Sequence, residues 1–116
     1  MINISNPKFM ILYNVTSNID SSIQHQWLQW MQEKHITEIL ATGKFTSARL
    51  VRVLVEEEMG GMTYAVQYTT DSKETLQRYY DDDAPKFRAE GVSLFGDKVL
   101  AFRTELELVS EFFQTN

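Results

Sequence analysis

The chain has 116 residues, of which 43% are hydrophobic and 12% aromatic, and these values are those of a single globular domain. Its formal net charge of -5 argues against a nucleic-acid partner, because binding to a phosphate backbone depends on clustered lysine and arginine. The absence of cysteine excludes disulfides, thiolate metal sites and a thiol nucleophile. With neither a membrane-length apolar run nor a signal-peptide pattern, we expect a cytoplasmic protein without a membrane partner.

The predicted domain begins with a strand and a long amphipathic helix. The stretch FMILYNVT, residues 9–16, has the β-branched and aromatic composition of a strand. Asn18, Asp20 and Ser21 are candidates for the N-cap of a helix, and Ser21 with Gln24 has capping-box spacing. We therefore predict a helix from about Ser21 to Thr42, with Gly43 as the left-handed residue beyond its end. On a helical wheel, His35 falls inside the apolar stripe and should face the sheet.

Two strands joined by a tight turn come next. Lys44–Glu58 alternates apolar side chains between two faces and is predicted as one long strand. Met59, Gly60 and Gly61 have the composition of a turn, and Met62–Thr70 alternates again. The pair should therefore form an antiparallel hairpin.

A second helix and a last strand complete the pattern. Asp71, followed by Glu74 three residues later, predicts the start of the helix. Pro85 lies within its apolar pattern, and a proline inside a helix removes a hydrogen bond, so we expect a kink or two segments meeting near Asp83. Lys98–Val109 alternates as the final strand.

The order strand, helix, strand, strand, helix, strand predicts an α+β domain of the ferredoxin-like type. In that fold, right-handed crossovers place two helices on one face of a four-stranded antiparallel sheet. We expect a single domain over residues 10–110, with residues 1–9 as an N-terminal extension and residues 111–116 as a C-terminal tail.

The uncovered face of such a sheet predicts a homodimer. Several strands carry apolar residues at both parities, so a monomer would expose a large apolar patch, and packing sheet against sheet would bury it. The alternative is that four polar residues cover this face: Arg52, Thr104, Glu105 and Glu107.

Most of the domain resembles a family of short, uncharacterised bacterial proteins known only as a domain of unknown function. The residues that carry this resemblance, from Met10 to Val109, are MILYNVTSNID, WLQWMQEKHITEILATGKF, LVRVLVEEEMGG, TYAVQYTT, RYYDDDAPKFRAEG and FGDKVLAFRTELELV. The chain departs from the family pattern at Thr37, where proline is expected after His-Ile, and the departure concerns the last turns of the first helix.

The resemblance implies a dimeric α/β-barrel fold similar to that of the antibiotic-biosynthesis monooxygenase superfamily. In that superfamily, substrates bind between the helices and the sheet of each subunit, and many members work without metal or flavin. The resemblance therefore implies a pocket location and no cofactor, and it transfers no reaction.

His35 is the catalytic candidate, because a histidine with a pKa near neutrality beside a pocket could act as a general acid or base. A core-edge imidazole bonded to backbone or to a tyrosine is the alternative. The predicted ligand-binding residues share a place on the core-facing side of strands or of the first helix: Tyr13, Trp27, Met31, Tyr64 and Tyr68. Packing without any ligand is the more common reason for tyrosines on strands and for tryptophans at helical spacing.

Charged residues offer weaker signals. Arg49 and Arg103 could bind a carboxylate if they point inward, although cross-strand ion pairs explain them as well. No metal site is expected, since His25 and His35 are too far apart along a helix to share an ion. The aspartates at 81–83 point in different directions on a helix and are predicted to be solvated.

Two hypotheses about function follow. The first is a homodimer that binds a small apolar or aromatic metabolite in a pocket near His35. Whether it also transforms that metabolite is left open. The second is a non-catalytic interaction or regulatory module whose role is dimerisation. The first predicts a cavity lined by Trp27, His35 and strand tyrosines, and the second predicts that those side chains close on one another.

RNA recognition is disfavoured, because GGMTYAVQY lacks the basic residue and first aromatic that such domains use.

Overall fold

The computed structural model describes residues 3–5, 10–55 and 60–115, and the side chains of 10–55 and 60–115. The strands are β1 (Asn3–Ser5), β2 (Ile11–Ile19), β3 (Ser47–Arg52), β4 (Met62–Thr70), β5 (Val99–Glu107) and β6 (Glu111–Phe113). The helices are α1 (Gln24–Trp30), α2 (Ile36–Ala41), α3 (Lys73–Asp82) and α4 (Ala84–Phe95). Short 3₁₀ turns occupy Ser21–Ile23 and Gly96–Lys98, and a π-helical turn occupies Met31–His35.

Four of these strands form one antiparallel sheet in the order β3-β4-β2-β5. This order and the helices on one face confirm the predicted α+β, ferredoxin-like βαββαβ fold. β1 and β6 pair with each other as a separate ribbon, and neither of these short strands was among the predicted elements. Within the described residues, no helix has the length and apolar character needed to cross a membrane.

The predicted helix Ser21–Thr42 is correct in extent but not in regularity. It begins as a 3₁₀ turn, and of the three N-cap candidates Asp20 is the cap, because its side chain accepts a hydrogen bond from the Ser22 amide. At the π-helical turn, the Ile36 amide donates to the carbonyl of Met31, five residues back. The helix ends at Ala41, and Gly43 beyond it has the expected positive φ of 78°.

The hairpin is antiparallel, as predicted, but its first strand is shorter than Lys44–Glu58. Phe45 lies in the core, with its ring 4.9 Å from that of Tyr79, so the chain joins the sheet only at Ser47. The turn residue Met59 and residues 56–58 lie outside the described residues. Gly61 has a φ of +84°, and an added Cβ would lie 2.5 Å from the carbonyl oxygen of Ile19, so this position requires glycine.

The second helix divides where the proline predicted it would. α3 ends at Asp82, and Pro85 lies in the first turn of α4, where its missing N–H costs nothing. The N-cap of α3 is Ser72 rather than Asp71, because the Ser72 hydroxyl accepts a hydrogen bond from the Thr75 amide at 3.1 Å. The last strand, Val99–Glu107, is shorter at both ends than predicted.

The two faces of the sheet differ in cover. Alternate strand residues pack under the helices, and the buried ones are Ile11, Tyr13, Ser17, Ile19, Tyr64, Val66, Tyr68 and Thr70. The opposite side, which we call the open face, exposes Leu100, Phe102 and Leu106 of β5 by 65%, 64% and 40%.

Most of the polar residues that were considered as a cover for the open face do not lie on it. Arg52 is paired with Tyr64, and Glu105 with Tyr13, so both of these charged residues share the helix-covered side of the sheet. Glu107 shares the parity of Glu105. Of the four residues that were to cover the open face, only Thr104 lies on it, which leaves the apolar side chains of β5 exposed.

Candidate functional site

A cavity of about 330 Å³ lies between the sheet and the helices. Its floor is formed by β2, β4 and β5, and its walls by α1, the π-helical turn and α4. This volume is within the range of sites for small molecules, which are concave and mainly apolar with a few polar groups.

Five of the six site residues predicted from the sequence line this cavity: Tyr13, Trp27, Met31, His35 and Tyr68. Tyr64, the sixth, does not line it. Its hydroxyl accepts a hydrogen bond from Gln24 at 2.9 Å, and its ring packs on Trp27 with 5.2 Å between the centroids. Tyr64 therefore supports the wall from behind.

The π-helical turn determines where His35 lies. In a regular α-helix, residues five apart point in directions about 140° apart, so their rings could not stack. Here Trp30 and His35 are stacked, with 4.2 Å between the ring centroids and an interplanar angle of 24°. Phe87 of α4 meets the imidazole edge to face at 5.7 Å. Such π-helical turns are frequent at functional sites.

The environment of His35 is apolar, and this changes its expected chemistry. Burial lowers the pKa of His35 from 6.5 to about 4, and the opposing effects of Glu90 and Glu38 are weaker. The imidazole is therefore neutral at pH 7, whereas the sequence suggested a pKa near neutrality. Its Nδ1 is buried and has no hydrogen-bond partner among the described residues, a rare condition for a buried polar atom.

One carboxylate of α4 fixes the two helical walls to each other. Glu90 Oε1 accepts from the indole Nε1 of Trp30 at 3.1 Å and from Lys34 Nζ at 2.8 Å. The hydrogen bond from Lys34, followed by that from Trp30, lowers the pKa of the Glu90 carboxyl. Trp30 is thus held both by the hydrogen bond to Glu90 and by stacking on His35.

Two arginines meet a tyrosine on the cavity lining. The Tyr13 hydroxyl accepts from Arg103 Nε at 3.0 Å and from Arg88 Nη2 at 3.4 Å. Arg103 projects from β5 and Arg88 from α4, and both side chains line the cavity while remaining accessible to solvent. This end of the site is cationic, and the rest is aromatic and aliphatic.

Sequence reasoning missed Arg88 and Ser17 and left Arg103 conditional. Arg103 does point inward, while Arg49 lies on the open face and is exposed. Arg88 could have been found, because it follows Ala84 and precedes Gly91 on the apolar stripe of α4 at helical spacing. Ser17 is a small polar residue on the covered side of β2, and no motif or spacing in the sequence marks this position as part of a site.

Metal-ligating side chains are not grouped in the described part of the chain. No cluster of three or more histidine, aspartate or glutamate side chains that could hold an ion occurs there. Within the aspartates 81–83, Asp83 accepts from Lys44 Nζ at 2.7 Å, and Asp82 is 3.9 Å from the same ammonium group. These residues attach α3 to the segment before β3.

The match to a family model covers most of the chain. Residues 10–109 match the domain of unknown function DUF4286, so the chain belongs to this family, as the resemblance indicated. No curated protein is significantly similar to the chain.

Solved structures with the same fold include three informative neighbours. A dimeric ferredoxin-like protein from an uncultured marine organism is 8% identical, with a TM-score of 0.59, and covers 86% of this chain and 95% of its own. A candidate antibiotic biosynthesis monooxygenase from Bacillus cereus is 12% identical, with a TM-score of 0.60 and coverage of 86% and 93%. A cofactor-independent oxygenase from Streptomyces nogalater is 8% identical, with a TM-score of 0.61 and coverage of 85% and 92%. At these identities the similarity shows the fold alone.

Proposed function

We propose that this protein binds a small apolar or aromatic molecule in the cavity beside His35. The observation that carries the proposal is the cavity itself, about 330 Å³ in volume, which remains open although several of the aromatic side chains around it contact one another. A purely structural layer would be packed to the density of an organic crystal. The fold shared with a cofactor-independent oxygenase adds support.

His35 serves in this proposal as a hydrogen-bonding group of the pocket. With its pKa lowered to about 4, the neutral imidazole can accept or donate a hydrogen bond at pH 7 but holds little proton to give as an acid. The unpartnered Nδ1 is the polar atom that a bound molecule would compensate, directly or after a small movement of the ring. We therefore propose binding and assign no reaction.

The proposed form of the protein is a homodimer joined through the open face. Leu100, Phe102 and Leu106 are exposed along one edge strand, and Val51 is exposed on the same side of β3. A row of apolar side chains on a sheet is usually covered by a partner in a two-fold interface. A dimeric neighbour with the same fold supports this arrangement.

Ligand binding can be tested with the two tryptophans, which are the only ones in the chain and which both line the cavity. Small aromatic compounds should shift the indole ¹H–¹⁵N signals of Trp27 and Trp30. Gly91→Phe should abolish these shifts, because an added Cβ at Gly91 already lies 3.8 Å from the Trp30 ring and a phenyl group would occupy the cavity. Ser93→Phe, at an exposed position of the same helix, is the matched control and should bind normally. Unaltered binding by Gly91→Phe would place the ligand elsewhere.

The dimer can be tested by measuring mass in solution at micromolar concentration. We expect a dimer for the wild type and a monomer for Phe102→Lys, since a buried ammonium group in a sheet-to-sheet interface is strongly unfavourable. Gln77→Lys adds the same charge at an exposed position of α3 and should remain dimeric. A monomeric wild type would contradict the proposed interface.

A further inference from the structure

The cationic end of the cavity is built from two elements that are distant in sequence. Arg88 of α4 and Arg103 of β5 both donate to the hydroxyl of Tyr13, at 3.4 and 3.0 Å. Two guanidinium groups directed at one neutral oxygen repel each other, and a phenol can offset little of that repulsion. Their juxtaposition at a cavity therefore calls for an explanation beyond the packing of Tyr13.

Protein carboxylates do not neutralise this pair. Among the described residues, ion pairs are made by Lys34 and Lys44, and none is made by Arg88 or Arg103. Glu105 is two residues from Arg103 on the same side of β5, but its carboxylate accepts from the Tyr80 hydroxyl at 2.9 Å. The nearest acid along the strand is thus engaged with a neutral partner.

Most of the hydrogen-bonding capacity of the two arginines is unused. A guanidinium group has five N–H donors in a planar fork that matches a carboxylate. In the described part of the chain, each arginine uses one of them, on Tyr13, and Arg88 also lies over the Tyr80 ring at 5.8 Å. Because both side chains are accessible to solvent, these donors are available to a molecule that enters the cavity.

We propose that Arg88 and Arg103 bind the carboxylate of an aromatic acid whose ring lies in the apolar part of the cavity. The acid group would remain at the solvated, cationic end, and the ring would pack among Trp27, Trp30 and Phe87. Charge-assisted hydrogen bonds to a guanidinium fork are stronger than neutral ones and fix the orientation of the bound molecule. This inference rests on the proposed ligand-binding function and names its substrate class.

A matched pair of probes tests the proposal on the unmodified protein. 2-Naphthoate and 2-naphthamide share the same ring and nearly the same shape, and they differ in the negative charge. Titrations followed by the indole signals of Trp27 and Trp30, at low ionic strength, should give naphthoate a roughly tenfold lower Kd, equivalent to about 1.4 kcal/mol. The preference should decrease as salt is added, because the cationic end is solvated.

Two double variants separate the local effect from net charge. Arg88→Gln with Arg103→Gln should remove the preference for naphthoate, because naphthoate loses charge-assisted hydrogen bonds and naphthamide loses only the weaker neutral ones. Arg49→Gln with Arg52→Gln removes the same two charges from exposed positions of β3 and should keep the preference. Circular dichroism shows whether each variant is folded, and the comparison of probes on the wild type holds even if one is not.

Each contrary result has a distinct meaning. Equal binding of both probes by the wild type overturns the carboxylate site and leaves the aromatic pocket intact. An equal loss of preference in the β3 control overturns it too, because the effect would then be one of overall charge. If neither probe shifts the tryptophan signals, the ligand-binding function itself fails, and this inference fails with it.

Discussion

The helix-covered layer of this protein has two ends that differ in packing. Beneath α3, the rings of Tyr13, Phe45, Tyr68 and Tyr79 contact one another, with centroids 4.9 to 6.0 Å apart, and Leu76 is 1% exposed. We call this the packed end, and its rings Tyr13, Tyr68 and Tyr79 form the boundary with the cavity. Beneath α4, the same sheet and helices enclose the cavity, which we call the open end.

Side-chain size accounts for the difference. At the open end, Ser17 faces Ala101 across β2 and β5, and Gly91 of α4 has no side chain, although a Cβ there would lie 3.8 Å from the Trp30 ring. At the packed end, the equivalent strand positions carry tyrosine. The two ends therefore show that one fold can hold a packed core and a cavity in a single layer, with the cavity placed where small residues oppose each other.

The largest expected effect on stability comes from removing a buried side chain at the packed end. Leu76→Ala should lower the free energy of unfolding by about 2 to 5 kcal/mol, because the surrounding rings cannot collapse into the space left behind. Val15→Ala, which enlarges a cavity that already exists, should cost less than about 1.5 kcal/mol. Urea denaturation of both variants measures the difference.

Equal costs for these two substitutions would contradict the distinction between the ends. Since the proposed dimer could add stability to either variant, both are to be compared at two protein concentrations. If the free energy of unfolding depends on protein concentration equally in both variants, the dependence reflects dimerisation, and the two substitutions can still be compared.

The next effect concerns the buried imidazole at the open end. The pKa of His35 is about 4 in the folded chain and 6.5 without its surroundings, so between these values the unfolded state binds more protons. Stability should therefore fall as the pH falls from 6.5 to 4, by up to about 3 kcal/mol from this residue. The measurement is the free energy of unfolding of the wild type and of His35→Gln across this range.

The variant should lack that part of the pH dependence, and the difference between the two curves isolates His35 from the carboxylates that titrate in the same range. His25→Gln, an exchange at an exposed position of α1, should follow the wild-type curve. Parallel curves for the wild type and His35→Gln would show that the imidazole is well solvated, and the open end would then be wider than described.

Much of the fold was predictable because it depends on periodicity and on turn chemistry. The alternation of Met62–Thr70, the proline at position 85 and the glycine at position 43 each fix local geometry by themselves. Strand ends were less predictable, because Phe45 is drawn into the core by rings on other elements rather than by its neighbours in sequence.

The site was predictable only in part, for two physical reasons. A wheel drawn at 100° per residue identified the side of the helix that carries His35, but it contains no π-helical turn and so could not predict the stacking on Trp30. The cavity depends on missing volume at Ser17, Ala101 and Gly91, and small residues give no periodic signal. The role of Arg88 depends on its proximity to Arg103, which is fifteen positions later in the sequence, so the sequence alone did not identify it.

The smallest expected effect is a gain in stability at the open end. Gly91→Ala should raise the free energy of unfolding by about 0.4 to 1 kcal/mol, because alanine restricts the unfolded chain and favours the helix. The new methyl group would contact the Trp30 ring at 3.8 Å, an ordinary van der Waals distance. Thermal unfolding measures the gain, and titration with 2-naphthamide should show weaker binding because the cavity has lost volume. Ser93→Ala changes α4 without touching the cavity and should leave binding unchanged. A loss of stability in Gly91→Ala would mean that the two helical walls are already in contact, and the open end would then be a second packed end.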